Sequence, residues 1–136
     1  MKKLSLKAKC LCGSISFKTT GYHRDVQNCH CIQCLKTHGN FAAYTKVEEK
    51  ELKFLNKKTL KWFKSSKRAK RGFCNNCGAS IFFKVLGTNQ ICISAGIFNK
   101  PTKLKTSMNI LWKENQIIIK LLTNSQNIKS ILKDLI

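Results

Sequence analysis

Cys74-Asn75-Asn76-Cys77-Gly78 has the form of a zinc knuckle. Two thiolates that lie this close in the chain can bind the same tetrahedral ion, and the glycine that follows frees the backbone to wrap around it. A closed structural zinc site needs four protein ligands, so this segment supplies only half of one. The remaining ligands must come from elsewhere in the chain, which predicts a domain whose fold depends on bound metal.

Two further clusters contain the cysteines that such a site needs. Cys10-Leu11-Cys12-Gly13 repeats the cysteine-glycine pattern, and Cys29-His30-Cys31-Ile32-Gln33-Cys34 lies between the two cysteine-glycine clusters. Pairing the first cluster with the central one would leave cysteines stranded, whereas pairing the two cysteine-glycine clusters gives one full set of ligands. The predicted structural zinc site is therefore Cys10, Cys12, Cys74 and Cys77.

The central cluster then keeps a set of three thiolates: Cys29, Cys31 and Cys34. Three protein ligands and one open position are typical of a catalytic zinc, so we expect two zinc ions and assign the working metal to this cluster. His38 leaves an alternative open, because on a helix it could close a structural site with three cysteines. His30 is expected to support the site rather than bind metal, and Cys92, in an apolar strand pattern, to be a small buried hydrophobe.

The compartment follows from the ends of the chain and from hydropathy. Met1-Lys2-Lys3 resembles the start of a signal peptide, but Lys7 and Lys9 interrupt the apolar stretch that should follow. No window approaches the roughly 18 apolar residues of a membrane span. We therefore predict a cytoplasmic protein, in a reducing environment where closely spaced cysteines more often bind metal than form disulfides.

The charge is strongly unbalanced, with 26 Lys and Arg against 6 Asp and Glu and a formal net charge of +20. Such a balance attracts nucleic acid, acidic membrane surfaces or small anionic substrates. The lysines are dispersed rather than gathered in one block, which is also what a lysine-rich genome produces, and no nucleic-acid-binding motif is recognisable. A zinc-stabilised basic module that binds nucleic acid nonspecifically, or another polyanion, is thus the alternative to an enzyme.

Short alternating runs bounded by turn residues predict a mainly β fold in a single domain over residues 1–136. The tail differs, because its apolar residues recur at helical spacing and predict a short amphipathic C-terminal helix that packs on the domain or, less simply, binds a partner. The expected strands are 4–8, 15–17, 41–47, 52–55, 60–63, 79–85, 90–94 and 116–121, and the helix stripe is Ile128, Ile131, Leu132, Leu135 and Ile136.

The motifs in their order resemble one known family. Besides the three cysteine clusters, they include Ser65-Ser66, Arg71-Gly72-Phe73 before the knuckle, and Ser94-Ala95-Gly96. This set resembles the glutathione-dependent formaldehyde-activating enzyme family, and the domain of centromere protein V is similar. The resemblance implies a β-tent of small antiparallel sheets linked by zinc. It also implies a structural zinc on the outer cysteine pairs and a labile or catalytic zinc on the central three.

The resemblance further implies an activity and its partners. The activity attributed to the family joins formaldehyde to glutathione and gives S-hydroxymethylglutathione, a reaction classed with carbon–sulfur lyases. An open zinc position could accept the thiol and lower its pKa, and Lys36, Arg24 and Arg71 are candidates for binding an anionic thiol. A thiol carrier or zinc-storage protein without turnover would need the same cysteines, so that alternative stays open.

Overall fold

A computed structural model describes residues 2–111 of the chain. Ten β-strands, one α-helix and two short 3₁₀ turns (Glu49–Glu51 and Ala95–Ile97) make up this part. The strands and the helix, in chain order, are β1 Lys2–Lys9, β2 Ile15–His23, β3 Val26–Cys29, α1 Ile32–His38, β4 Ala42–Glu48, β5 Leu52–Lys57, β6 Leu60–Ser66, β7 Ala69–Cys74, β8 Ser80–Val85, β9 Gln90–Ser94 and β10 Thr106–Ile110.

The strands form two sheets. The smaller sheet is antiparallel, with strand order β1-β2-β5, and the larger one has the order β10-β3-β4-β9-β8-β7-β6. Its neighbours are antiparallel except for β10, which runs parallel to β3. The prediction of a mainly β fold is confirmed, with the correction that the larger sheet is mixed. The cause is the long return of the chain that brings β10 beside β3, because a parallel neighbour requires a crossover connection.

The core lies between the two sheets and follows from the alternation of apolar and polar residues. In β1 and β2 every second residue is buried or partly buried and the residues between them are more exposed, because successive strand residues point to opposite faces. Phe17 of β2 is fully buried, and its ring centroid lies 5.1 Å from that of Phe82 in β8 and 6.3 Å from that of Phe98. Such offset aromatic contacts fix how the small sheet sits on the large one.

Seven of the expected strands lie where the pattern predicted them, and three further strands were missed. The missed strands are β3, β7 and β10. The expected strand 116–121 and the expected C-terminal helix lie outside the described residues. Among residues 2–111, no helix is long and apolar enough to cross a membrane.

Candidate metal centres and the adjoining cavity

The two cysteine-glycine clusters come together where the sheets meet. Cys10 to Gly13 form the turn between β1 and β2, in which Gly13 has a φ of +78° and its N–H donates to the Cys10 carbonyl at 3.0 Å. The turn between β7 and β8 repeats this arrangement, with Gly78 at a φ of +71° and its N–H 2.9 Å from the Cys74 carbonyl. The four Sγ atoms lie within 4.8 Å of one another, in the set predicted from the sequence: Cys10, Cys12, Cys74 and Cys77.

The spacing of these sulfurs fits a tetrahedral metal. Zinc binds cysteine sulfur at about 2.3 Å, which places the sulfurs of a tetrahedral site roughly 3.8 Å apart. Cys12 Sγ lies 3.5 Å from Cys10 Sγ and 3.7 Å from Cys74 Sγ. Hydrogen bonds from the Ser14 hydroxyl and then the Asn76 side chain lower the pKa of Cys12 to about 5, whereas burial raises that of Cys10 to about 11. All four ligands are sulfur, which suits a soft ion such as zinc.

The central cluster is built by the end of β3 and the start of α1. Cys29 is the last residue of β3, and Cys31 is the N-cap of α1, where its Sγ accepts a hydrogen bond from the Cys34 N–H at 3.4 Å. The helix ends at Gly39, which has a φ of +82°. This short turn brings the three Sγ atoms within 4.8 Å of one another, so the cluster could hold a metal ion with three protein ligands.

Arg71 of β7 supplies the positive charge beside this cluster. Its side chain is only 8% exposed, and its Nη2 donates to Cys34 Sγ at 3.7 Å and to Gln33 Oε1 at 3.2 Å. The hydrogen bond from Cys34, together with smaller contributions that include the charge of Arg71, lowers the pKa of Cys29 to about 5. The same hydrogen bond and burial raise the pKa of Cys34.

His38 uses both ring nitrogens in a hydrogen-bond chain and lies outside the metal-binding groups of the described residues. Arg71 Nη1 donates to the Tyr44 hydroxyl at 3.4 Å, so that hydroxyl donates to His38 Nε2 at 3.2 Å. His38 Nδ1–H then donates to the Thr37 hydroxyl at 2.8 Å, and Thr37 donates to the Gln33 carbonyl at 2.7 Å. These directions assign the tautomer of His38. Burial, and to a lesser extent Arg71, lowers the pKa of His38, which keeps the ring neutral.

A cavity of about 360 Å³ adjoins the central cluster. All three central cysteines line it, and among the described residues the charged side chains in its wall are arginines, with no Asp or Glu. The rest of the wall is largely apolar. The lining residues that matter below are Arg24, Arg71, Tyr44, Phe83, Ile110 and Leu111.

The other residues singled out from the sequence take different positions. Cys92 was expected to be buried; it is half-buried and lines the cavity, because β9 pairs with β4 beside the central cluster. His30 is buried, and its Nε2 lies 2.9 Å from Asn109 Oδ1 of β10. Lys36 is exposed on α1 and is absent from the cavity wall. Sequence reasoning missed Tyr44, which no cysteine or charge pattern marks.

The comparisons with known proteins agree with this geometry. The family model described as glutathione-dependent formaldehyde-activating enzyme matches residues 5–114. No curated protein matches the chain. A crystal structure of a Rhodobacter sphaeroides protein, from a structural genomics programme, is similar in fold with a TM-score of 0.60 and 18% identity, over 71% of this chain and 91% of that one. The family match spans most of the sequence and includes every cysteine of both clusters. The chain therefore belongs to the glutathione-dependent formaldehyde-activating enzyme family.

Proposed function

We propose that this protein is a zinc-dependent enzyme of the carbon–sulfur lyase type that acts on small aldehyde–thiol adducts, with formaldehyde and an anionic thiol such as glutathione as its partners. The observation that carries the proposal is the contrast between the two cysteine clusters. One is a four-sulfur set at the junction of the sheets, and the other is a three-sulfur set in the wall of a cavity. The family match supports the reaction class.

Each cluster has its own role in this proposal. The outer cysteines hold a zinc ion that joins the sheets, because Cys10 and Cys12 follow β1 of the small sheet whereas Cys74 ends β7 of the large sheet and Cys77 follows it. The catalytic residues are those that hold the second ion: Cys29, Cys31 and Cys34. When bound there with an open position, zinc supplies a Lewis acid that keeps a thiol ionised near neutral pH.

The reaction itself is an addition that needs no oxidant. The thiolate sulfur donates an electron pair to the carbonyl carbon of the aldehyde, a C–S bond forms, and the oxygen that receives the C=O electron pair takes up a proton. The reverse sequence cleaves the adduct. Around these atoms the chain supplies a positive charge from Arg71, held by Tyr44, and apolar walls such as Phe83 that limit water.

The proposal also includes the location of the protein and its domain organisation. None of the eight cysteines forms a disulfide bond, which supports a reducing, cytoplasmic location. The full chain, residues 1–136, is proposed to act as a single domain with one outer and one central metal ion.

The test measures how fast the hydroxymethyl adduct forms and dissociates, by NMR exchange spectroscopy on glutathione and formaldehyde with zinc-loaded protein. Wild type is expected to accelerate exchange. Cys31→Ser is expected to lower the accelerated rate at least about tenfold and to bind one zinc ion instead of two. Cys92→Ser is the matched control, because Cys92 lines the same cavity outside the metal-binding groups. Equal rates in wild type and Cys31→Ser would refute the proposal, whereas zinc and thiol binding without acceleration would identify a thiol carrier.

A second candidate function is polyanion binding at the edge strand β6, where aromatic side chains lie among lysines. Trp62 is 38% exposed and Phe63 is 59% exposed, and Lys70 Nζ lies 4.5 Å from the Trp62 ring centroid. Stacking platforms flanked by cations are how proteins bind single-stranded nucleic acid without sequence preference. Anisotropy with a labelled oligothymidine should show binding that Phe63→Ser weakens. Affinity that is equal in the variant and vanishes at moderate salt would reduce this to general charge attraction.

A further inference from the structure

The cavity beside the central cysteines contains two arginines that lack a carboxylate partner. The ion pairs within residues 2–111 join Lys2 to Asp25, Lys50 to Glu48 and Lys84 to Glu49, and none involves Arg24 or Arg71. A buried charge is stable only when it is paired and hydrogen-bonded, because removing it from water costs free energy. The two guanidinium groups therefore need an explanation that the described residues do not supply.

Arg71 is held rigidly and still has donor capacity left. Its side chain is more than nine-tenths buried, its three hydrogen bonds use Nη1 and Nη2, and its guanidinium carbon lies 5.1 Å from the Phe83 ring centroid. Its Nε is buried and has no hydrogen-bond partner among residues 2–111. A buried donor without a partner is costly and is rare in native structures, and a ligand is one of the groups that satisfies such donors.

Arg24 lies on the same cavity wall but is half-buried. Its Nη2 donates to the Tyr44 backbone carbonyl at 3.1 Å, while its Nε is buried and has no partner among residues 2–111. Tyr44 thus anchors both cations, Arg24 through its carbonyl and Arg71 through its hydroxyl. The planar fork of a guanidinium group matches a carboxylate better than any other side chain does.

The charge balance of the cavity favours an anionic ligand. Three thiolates on a divalent ion leave one negative charge, and the two guanidinium groups more than balance it. The lining that residues 2–111 provide contains no Asp or Glu, so the cavity is positive with metal bound before a ligand enters. A carboxylate hydrogen-bonded to Arg71 would lie close to Cys34, because Nη2 of the same guanidinium group is 3.7 Å from Cys34 Sγ and such hydrogen bonds are about 2.8 Å long.

We propose that Arg24 and Arg71 bind a carboxylate of the thiol substrate that lies a few bonds from its sulfur, so that a thiol and one nearby carboxylate are the minimal group this cavity recognises. The proposal rests on the proposed function, since it takes the thiol to bind beside the central cysteines. It makes short thiol carboxylates ligands in their own right. The cavity volume of about 360 Å³ is near the lower end of small-molecule sites, which suits a ligand of this size.

The test compares two thiols that differ in one charge, 3-mercaptopropionate and 3-mercaptopropionamide, by isothermal titration with the zinc-loaded full chain. 3-Mercaptopropionate is expected to bind at least about tenfold more tightly than the amide, because hydrogen bonds between charged groups are stronger than those to a neutral group. Arg24→Gln should remove this difference, and Lys36→Gln should keep it, because Lys36 is an exposed lysine outside the cavity wall. Propionate should compete with 3-mercaptopropionate for binding to wild type but not for binding to Arg24→Gln.

The outcomes separate this proposal from the enzyme proposal. Equal affinities for acid and amide, or an Arg24→Gln variant that loses both equally, would overturn the carboxylate site even if adduct exchange is accelerated. A charge-dependent preference that Arg24→Gln removes, without any acceleration of exchange, would support the carboxylate site and refute turnover. Failure of both thiols to bind would overturn the carboxylate site, and the exchange assay with glutathione would then decide the enzyme proposal.

Discussion

Replacing Tyr44 by Phe tests the hydrogen-bond chain that holds Arg71 beside the central cysteines. Tyr44 is 5% exposed, and its hydroxyl accepts from Arg71 Nη1 at 3.4 Å while it donates to His38 Nε2 at 3.2 Å. The substitution removes one oxygen and keeps the ring that packs near Cys34 and Phe83. Its effect therefore comes from the lost polar contacts.

The magnitude follows from which groups lose their partners. The Arg71 N–H is buried, so removing its acceptor costs the full desolvation penalty of about 1–3 kcal/mol. His38 is half-buried and water can replace the lost hydroxyl, so the second contact adds less. We expect the free energy of unfolding to fall by about 2 kcal/mol, a shift of about 1 M in the urea midpoint at a typical slope for a small domain.

The assay is urea unfolding of zinc-loaded protein followed by tryptophan fluorescence. Tyr22→Phe is the matched control, because Tyr22 is 55% exposed and its substitution should change stability by less than about 0.5 kcal/mol. The Tyr44→Phe variant should also bind 3-mercaptopropionate more weakly, since Arg71 loses its anchor. If Tyr44→Phe and Tyr22→Phe were equally stable and bound the acid equally, the hydrogen-bond chain would have no energetic role.

Three further predictions concern metal, acid and core. Cys77→Ser should leave the chain largely unfolded by circular dichroism while Cys31→Ser keeps the native spectrum, because only the outer cluster joins the two sheets; equal unfolding would contradict this division. Burial lowers the pKa of His23, which is fully buried, so its stabilising effect is complete above about pH 6.5 and lost as pH falls through the lowered folded pKa. Wild type should therefore lose stability more steeply than His23→Gln as pH falls below about 6.5 in denaturant titrations, and equal slopes would count against it. Phe17→Ala should lower the free energy of unfolding by about 3–5 kcal/mol, and a loss below about 1 kcal/mol would show that the two sheets do not depend on this ring.

Local patterns predicted much of the fold, whereas long-range pairing explains what was missed. The alternation in 4–8 and 90–94 is the direct signature of a half-buried strand, and β1 and β9 lie there. In contrast, β3 contains Val-Gln-Asn-Cys and β7 contains a glycine between Arg71 and Phe73, so neither has a strand pattern of its own. Position 72 of β7 favours glycine, because a Cβ there would lie 2.9 Å from a Phe82 ring atom. This constraint is visible only in three dimensions.

The site shows the same division between local and distant information. The cysteine sets followed from counting ligands. Two cysteines close in sequence supply half of a four-ligand site, so each such pair needs a second pair to complete it. The burial of Arg71 could not be predicted, because its partners Tyr44 and Cys34 are 27 and 37 residues away. Cys92 was expected to be buried because it lies in an apolar strand pattern. It is half-buried instead, because it lines the cavity.

The sequence separations within the two clusters have a consequence for the order in which the protein acquires its metal. The central cysteines span residues 29–34, whereas Cys12 and Cys74 are 62 residues apart. Closing the longer loop costs about 2 kcal/mol more chain entropy than closing the shorter one. An unfolded chain short of zinc therefore fills the central trio first, and the four-sulfur site becomes competent only when the sheets have met. Biosynthesis under zinc limitation would then yield chains with an occupied central cluster and an unfinished fold, a population that native mass spectrometry of refolding samples would detect.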